Sequence, residues 1–155
     1  MMPKNHLKKN RMRGLASLEF TLIFTALYAP LLLGVIDIGR VLYQYNIVVK
    51  NVRSAARYMS VTYPADPNYA SRITEAKNLV VYGALTSAVS PMVSGMTASN
   101  VSIVGPVDAS AGGVKINLIT VRVSDFNLGY VTKFFGANAT KSFGTIEATM
   151  RQTTP

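Results

Sequence analysis

Residues 15–36 read LASLEFTLIFTALYAPLLLGVI, 22 residues carrying one charge, Glu19. About 20 consecutive apolar residues are enough to cross a bilayer as a helix, so the stretch spells a transmembrane segment. Its flanks agree. Lys4, Lys8, Lys9, Arg11 and Arg13 crowd the residues before Leu15, while Arg40, Lys50 and Arg53 are spread over those that follow. The heavier positive flank stays in the cytoplasm, which places the N-terminus inside and residues 37–155 outside. Asp37 and Arg40 close the segment one helical turn apart, where they can pair at the interface. Tyr43 and Tyr45 follow, as amphipathic rings do at headgroup level. With Arg13, these are the candidate membrane-interface residues. Ordinary secretory cleavage fits poorly, because Ala29 has Leu27 two residues earlier and Pro30 behind it. The helix is expected to be retained.

The rest of the composition narrows the function by exclusion. The 155 residues are 49% hydrophobic and only 15% charged, against a usual charged share of about 25%. There is no cysteine, and the lone histidine, His6, lies in the polar head. Thiolate chemistry, a zinc site and a histidine relay therefore lack their residues. No cofactor is expected. The net charge of +9 is concentrated at the N-terminus: five of the sixteen Lys and Arg precede Leu15, leaving eleven against seven acids. That is the charge pattern of membrane targeting, and no nucleic-acid partner is expected. Asp108 and Asp125 are isolated acids in turn-like surroundings. Gly112-Gly113 reads as a hairpin turn without the lysine of a phosphate loop. Asn100 and Asn138 begin glycosylation-type triplets of a kind frequent by chance. No catalytic constellation can be assembled, and the chain is not expected to be an enzyme.

Glu19 is the anomaly. A carboxylate at mid-bilayer costs about 2.5–3.5 kcal/mol, less near a helix end, so it calls for a partner. Cutting the chain between Gly14 and Leu15 would supply one. Glu19 becomes the fifth residue, one turn from a new α-amino group on the same helix face. The positive end of the helix dipole also favours the carboxylate there. It could equally pair with the amine of a neighbouring subunit and so set the stagger of packed helices. Basic residues, Gly14, an apolar residue, Glu19 and a hydrophobic helix resemble a class III, prepilin-type leader, in which a membrane aspartyl peptidase cuts after the glycine.

The resemblance extends to the TadE-like family of tight-adherence (Flp, type IVb) pilus systems. It is carried by Arg13-Gly14, Leu18-Glu19-Phe20, the Leu31–Leu33 run, Asp37-Ile38-Gly39-Arg40, Val52-Arg53 and Ala55-Ala56-Arg57-Tyr58. Asp37 stands where Glu is more usual. The segment Glu75–Gly83 is similar to one found in longer family members. The resemblance implies a minor pilin, or pseudopilin, needed for pilus assembly. It further implies as partners a prepilin peptidase, other pilins and minor pseudopilins, the pilus assembly platform proteins and the lipid bilayer. The place it implies is the bacterial inner membrane, with possible incorporation into the pilus.

Beyond the membrane, Val41, Tyr45, Val48, Val52, Ala55 and Met59 recur at spacings of three and four. This is an amphipathic stripe that carries the first helix to about Val61, with Arg40, Lys50, Arg53 and Arg57 mostly off it. Pro30 should kink or loosen the helix. Asp66-Pro67 reads as a cap and first turn of a second helix running to about Ala84, with Ile73, Ala76, Val80 and Ala84 on its apolar face. Residues 86–99 read as a flexible connection. Strands are expected at Val101–Val104, Val114–Val123 and Thr145–Arg151. The alternation of the second slips near Leu118-Ile119, so that either both faces are partly covered or a bulge intervenes. Phe126, Tyr130, Phe134 and Phe135, between the last two strands, read as local core, with a partner-facing patch as the alternative. The fold class is α+β: a long membrane helix, a second helix and an antiparallel sheet of about three strands. The domains are a basic leader (1–14), a transmembrane helix (15–36), and a helix extension with an exported domain (37–155). Two rivals remain. One is an unprocessed single-pass anchor displaying an extracytoplasmic binding domain. The other is a secreted binding or adhesin domain released by ordinary signal cleavage.

Overall fold

The computed structural model of the chain describes residues 7–87, 90–111, 114–129, 140–142 and 144–152. It is α+β, as the residue pattern implies. Helix α1 (Leu7–Ser60) is 54 residues long and runs unbroken through Pro30, about 80 Å at 1.5 Å per residue. Helix α2 (Tyr69–Tyr82) follows. Then come strands β1 (Val101–Ala111), β2 (Val114–Val123), β3 (Asn127–Gly129), β4 (Thr140–Ser142) and β5 (Ile146–Arg151). The main sheet is antiparallel in the order β1-β2-β5, while β3 and β4 form a separate antiparallel pair.

The upper half of α1 supplies one wall of the core. Val41, Val48, Val52, Ala55 and Met59 are buried and Tyr45 is half-buried, so the stripe read from the sequence packs on the chain's own domain. Each such Val or Met contributes about 1.5–3 kcal/mol relative to exposure. Opposite lie Ala76, Val80 and Val81 of α2 and Ile119, Val121, Val123 and Ile146 of the sheet. On the other sheet face the β2–β5 part is polar. Thr120 and Thr149 share a hydroxyl hydrogen bond at 2.8 Å, and Arg122 meets Glu147 at 2.9 Å, both pairs in cross-strand register. Cross-strand partners of this kind fix the register of an antiparallel pair.

The alternation slip in β2 has its cause in the neighbouring strand. The register shifts between Val104 and Val107 of β1, facing Leu118 to Thr120. Gly105 makes this possible, with φ of 136° and no room for a Cβ, which would lie 2.7 Å from the Leu118 carbonyl oxygen. Pro106 sits in this irregularity on an edge strand, where a missing N–H is tolerated. The first strand thus runs to Ala111, longer than Val101–Val104. Ala111 pairs with Val114 across the two glycines, which themselves lie outside the described residues.

Several helix ends differ from the sequence expectation. Helix α2 begins at Tyr69 rather than Pro67, because Asp66 closes a turn instead. Its Oδ1 accepts from the Asn68 amide at 2.8 Å and its carbonyl accepts from Tyr69 N. Gly83, at φ of 72°, ends the helix in the left-handed conformation, so Ala84 falls beyond it and is exposed. Val81 takes the place expected of Ala84 in the core. The connection after the helix, read from the residues as flexible, is irregular, and Val93 and Met96 within it are buried and tie it to the core. The hairpin of β3 and β4 carried no strand signal, being two three-residue runs. Phe126 is buried; Tyr130, Phe134 and Phe135 lie outside the described residues.

Polar side chains close the helix ends. Asn51 Nδ2 donates to the Val80 carbonyl at 3.1 Å, and Met92 N donates to the Val81 carbonyl at 2.9 Å. Gln152, buried just past β5, donates from Nε2 to the carbonyls of Met59 and Thr62 at the end of α1. The last carbonyls of a helix have no partner within it; Asn51 takes up one such carbonyl at the end of α2, while Gln152 holds the turn just past α1, where the Met59 carbonyl also accepts from the Thr62 amide.

Candidate functional site

The burial pattern divides α1 into two lengths. From Gly14 to Leu33 every side chain is exposed except Pro30, which is intermediate. Leu15, Leu18, Phe20, Leu22, Ile23 and Leu27 are each more than 60% exposed. Gly34, Asp37 and Val41 are buried, and the covered stripe begins there. The bare apolar length, residues 15–33, is about 28 Å at 1.5 Å per residue, close to the roughly 30 Å hydrocarbon thickness of a bilayer. The helix is long and apolar enough to cross a membrane, and the domain reaches down to where that length ends.

Gly14 and Leu15 lie within the continuous helix. The surface at Gly14 is open, with nothing within 4 Å of where a Cβ would stand. The Gly14 carbonyl accepts a hydrogen bond from Ser17 Oγ at 3.0 Å, and Thr21 Oγ1 repeats the pattern on the Ser17 carbonyl at 2.8 Å. Glu19 lies one turn beyond Leu15, exposed on the bare length, with no partner among the described residues. Phe20, Phe24 and Tyr28 form a ladder one turn apart, with Phe24 and Tyr28 stacked at 4.0 Å and Phe20 6.0 Å from Phe24.

The interface candidates separate. Arg40 and Tyr43 are exposed, Tyr43 at 67%. Tyr45 is half-buried and Asp37 is 2% exposed, and both are engaged within the chain. Asp37 is thus covered by the protein itself, with Arg40 on the open side of the helix. Arg13 lies in α1, and its side chain is outside the described residues. The head residues 1–6 are outside them too.

The open surface concavities of the domain are shallow. One lies between Tyr45, Val49 and Arg53 of α1 and Thr145–Ala148, and another beside Tyr58, Thr62, Asp66 and Arg72. In the second, the Tyr58 hydroxyl donates to Glu75 and accepts from Arg72 at 2.5 Å, while Arg72 and Glu75 pair at 3.5 Å. Burial, and then the bond to Glu75, push the Tyr58 phenol above its ordinary range against the opposing pull of Arg72. This triad fastens α2 to α1. No group of three potential metal ligands occurs among the described residues. Sequence reasoning did not find Asn51 or Gln152. Asn51 was detectable as a polar residue one turn from Val48 and Ala55 on the buried stripe; Gln152 gave no signal.

A family model described as TadE-like protein matches residues 14–57. The match begins at Gly14, takes in Glu19 and the bare apolar length, and ends in the last turn of α1, well short of half the chain. It agrees with the resemblance read from the residues, and it connects the chain with Tad pilus systems and a structural, non-enzymatic family. No curated protein and no solved structure matches the chain.

Proposed function

We propose that the chain is a minor pilin, or pseudopilin, needed to assemble a tight-adherence type IVb pilus. A prepilin peptidase cuts between Gly14 and Leu15, and the product stays anchored in the bacterial inner membrane, its N-terminus on the cytoplasmic side and its domain outside. The observation that carries this is Glu19, a lone carboxylate exposed on the bare apolar length, one turn past Leu15, inside the TadE-like match. A charge so placed is costly in lipid, and a Leu15 amine, its own or a neighbour's, offsets that cost. Matched helices then pack at a fixed stagger, with the Phe20, Phe24 and Tyr28 ladder available to a neighbouring helix. The partners in this reading are the peptidase, other pilins and minor pseudopilins, the assembly platform and the bilayer.

The unprocessed anchor draws on one feature: α1 passes through Gly14–Leu15 without a break, and Ser17 reinforces the turn. The test is genetic. Cells lacking the chain should lose surface pili, and the full chain should restore them. Glu19→Ala should fail to restore them although cleavage proceeds. Normal piliation with Glu19→Ala would remove the pairing role and favour the plain anchor.

A further inference from the structure

Above the membrane, α1 turns a second face to the outside. Opposite the buried stripe, Leu42, Tyr43, Asn46, Lys50, Arg53 and Arg57 are all exposed. Lys50, Arg53 and Arg57 follow at spacings of three and four, so their charges stand in one row. The ion pairs among the described residues, Arg72 with Glu75 and Arg122 with Glu147, involve none of them. Like charges at these spacings weaken a helix. Arg57 is favoured by the negative end of the helix, but Lys50 and Arg53 lie inward of the last turn, where that effect has faded. The row is also not a convex ridge. Arg53 borders the groove along Thr145–Ala148, whose one acid, Glu147, is held by Arg122, and Arg53, Ser54 and Arg57 border another beside Met150. Together they make a shallow basic trough between α1 and β5.

We infer that this trough docks an acidic surface of a different protein subunit standing beside α1 in the same assembly. The inference rests on the pilin reading above. Lipid is excluded by height. Lys50 and Arg57 stand about 21 and 31 Å along the helix from Ile36, whereas the headgroup layer is only about 5–8 Å deep on each side. A second copy is excluded by charge. Of the seven acids, Glu19 lies on the bare length, Asp37 is buried, and Glu75 and Glu147 are paired. Asp66, Asp108 and Asp125 are left singly on separate parts of the chain, so no acidic row faces the basic one. Continuity supplies the geometry: α1 is one helix from the bare length to Ser60, and a neighbour packed along residues 15–33 is carried up beside this face.

The test uses the full chain in its own cells. The triple variant Lys50→Glu, Arg53→Glu, Arg57→Glu should be cleaved and accumulate normally, because all three side chains are exposed, yet should lower piliation at least tenfold. Arg53→Lys with Arg57→Lys should keep it. If the triple variant fails to accumulate, the three Gln replacements take its place with the same expected loss. A photo-crosslinking residue at Ser54 should join the chain to another exported subunit of the system bearing clustered acids, and charge reversal should abolish that adduct. Adducts with lipid or with a second copy would overturn the inference. So would normal pili in the charge-reversed chain. Normal pili there with none in Glu19→Ala would sink the trough alone, and normal pili in both would sink the pilin reading as well.

Discussion

Glu19 and Asp37 are both acids on α1, and the chain treats them oppositely. Asp37 is covered and engaged within the chain, so its loss is a folding matter. Asp37→Leu should lower domain stability by about 1–3 kcal/mol, the range for stranding buried polar partners, in a denaturation titration of the detergent-solubilised chain. Glu19→Leu should leave that titration unchanged. Sequence showed that both residues mattered and put Asp37 at the end of the membrane segment; that the domain also covers it could not be read, because nothing local reveals that the domain reaches down to Gly34. Gly83 caps α2 where the residue pattern carried the helix on to about Ala84. Gly83→Ala should destabilise through two physical effects. Its φ of 72° strains any side chain, and the new Cβ would stand 2.4 Å from Met92 Sδ; a loss of about 1 kcal/mol or more is expected in the same titration. Tyr58 gives a pH dependence. Its phenol titrates above the ordinary 10.0 in the fold, so the neutral form is favoured by folding. The stability this confers is complete below about pH 10 and is lost as pH rises through the raised value. Tyr58→Phe should make the alkaline loss shallower, while Tyr69, also raised by burial, keeps part of it. An unchanged alkaline limb would contradict the role given to burial and Glu75.

At the scale of elements, long periodic segments were legible and short ones were not. Helix α1 and strand β2 announce themselves through sustained stripes and β-branched runs, and β5 through clean alternation. The hairpin of β3 and β4 is too short to show a period. The slip in β2 could be read, but its cause could not, because the irregularity sits on β1 around Gly105, a strand that pairs with it only in the fold. The start of α2 was misplaced because Asp66 can close a turn as readily as cap a helix, and here the turn prevails. The joints between elements were least visible. Gln152 joins the end of β5 to the end of α1 across more than ninety residues of chain, a contact with no local signature. Gln152→Ala should cost about 1–3 kcal/mol by stranding the Thr62 carbonyl, and hydrogen exchange should quicken at the last turn of α1 before it quickens in β2. Uniform quickening would show that Gln152 does not hold that joint.

The whole molecule is one long helix with two environments. Its bare length is matched to a bilayer and its upper length is built into a domain, and the change comes between Leu33 and Gly34. This division follows from where apolar residues recur on one side only and where they surround the helix, which is why the fold class was readable from the residues. What they could not give is which face of the upper helix stays open, since that depends on how the sheet and α2 close around it. At this scale the central claim is that the basic head is a leader, removed to create the Leu15 amine that Glu19 needs. The measurement that tests it most directly is the intact mass of the membrane-extracted protein, from cells with and without their prepilin peptidase. The account predicts a peptidase-dependent loss of residues 1–14, abolished by replacing Gly14 with a bulky residue. A full-length chain in both cells would contradict it and leave an unprocessed anchor whose Glu19 needs another partner.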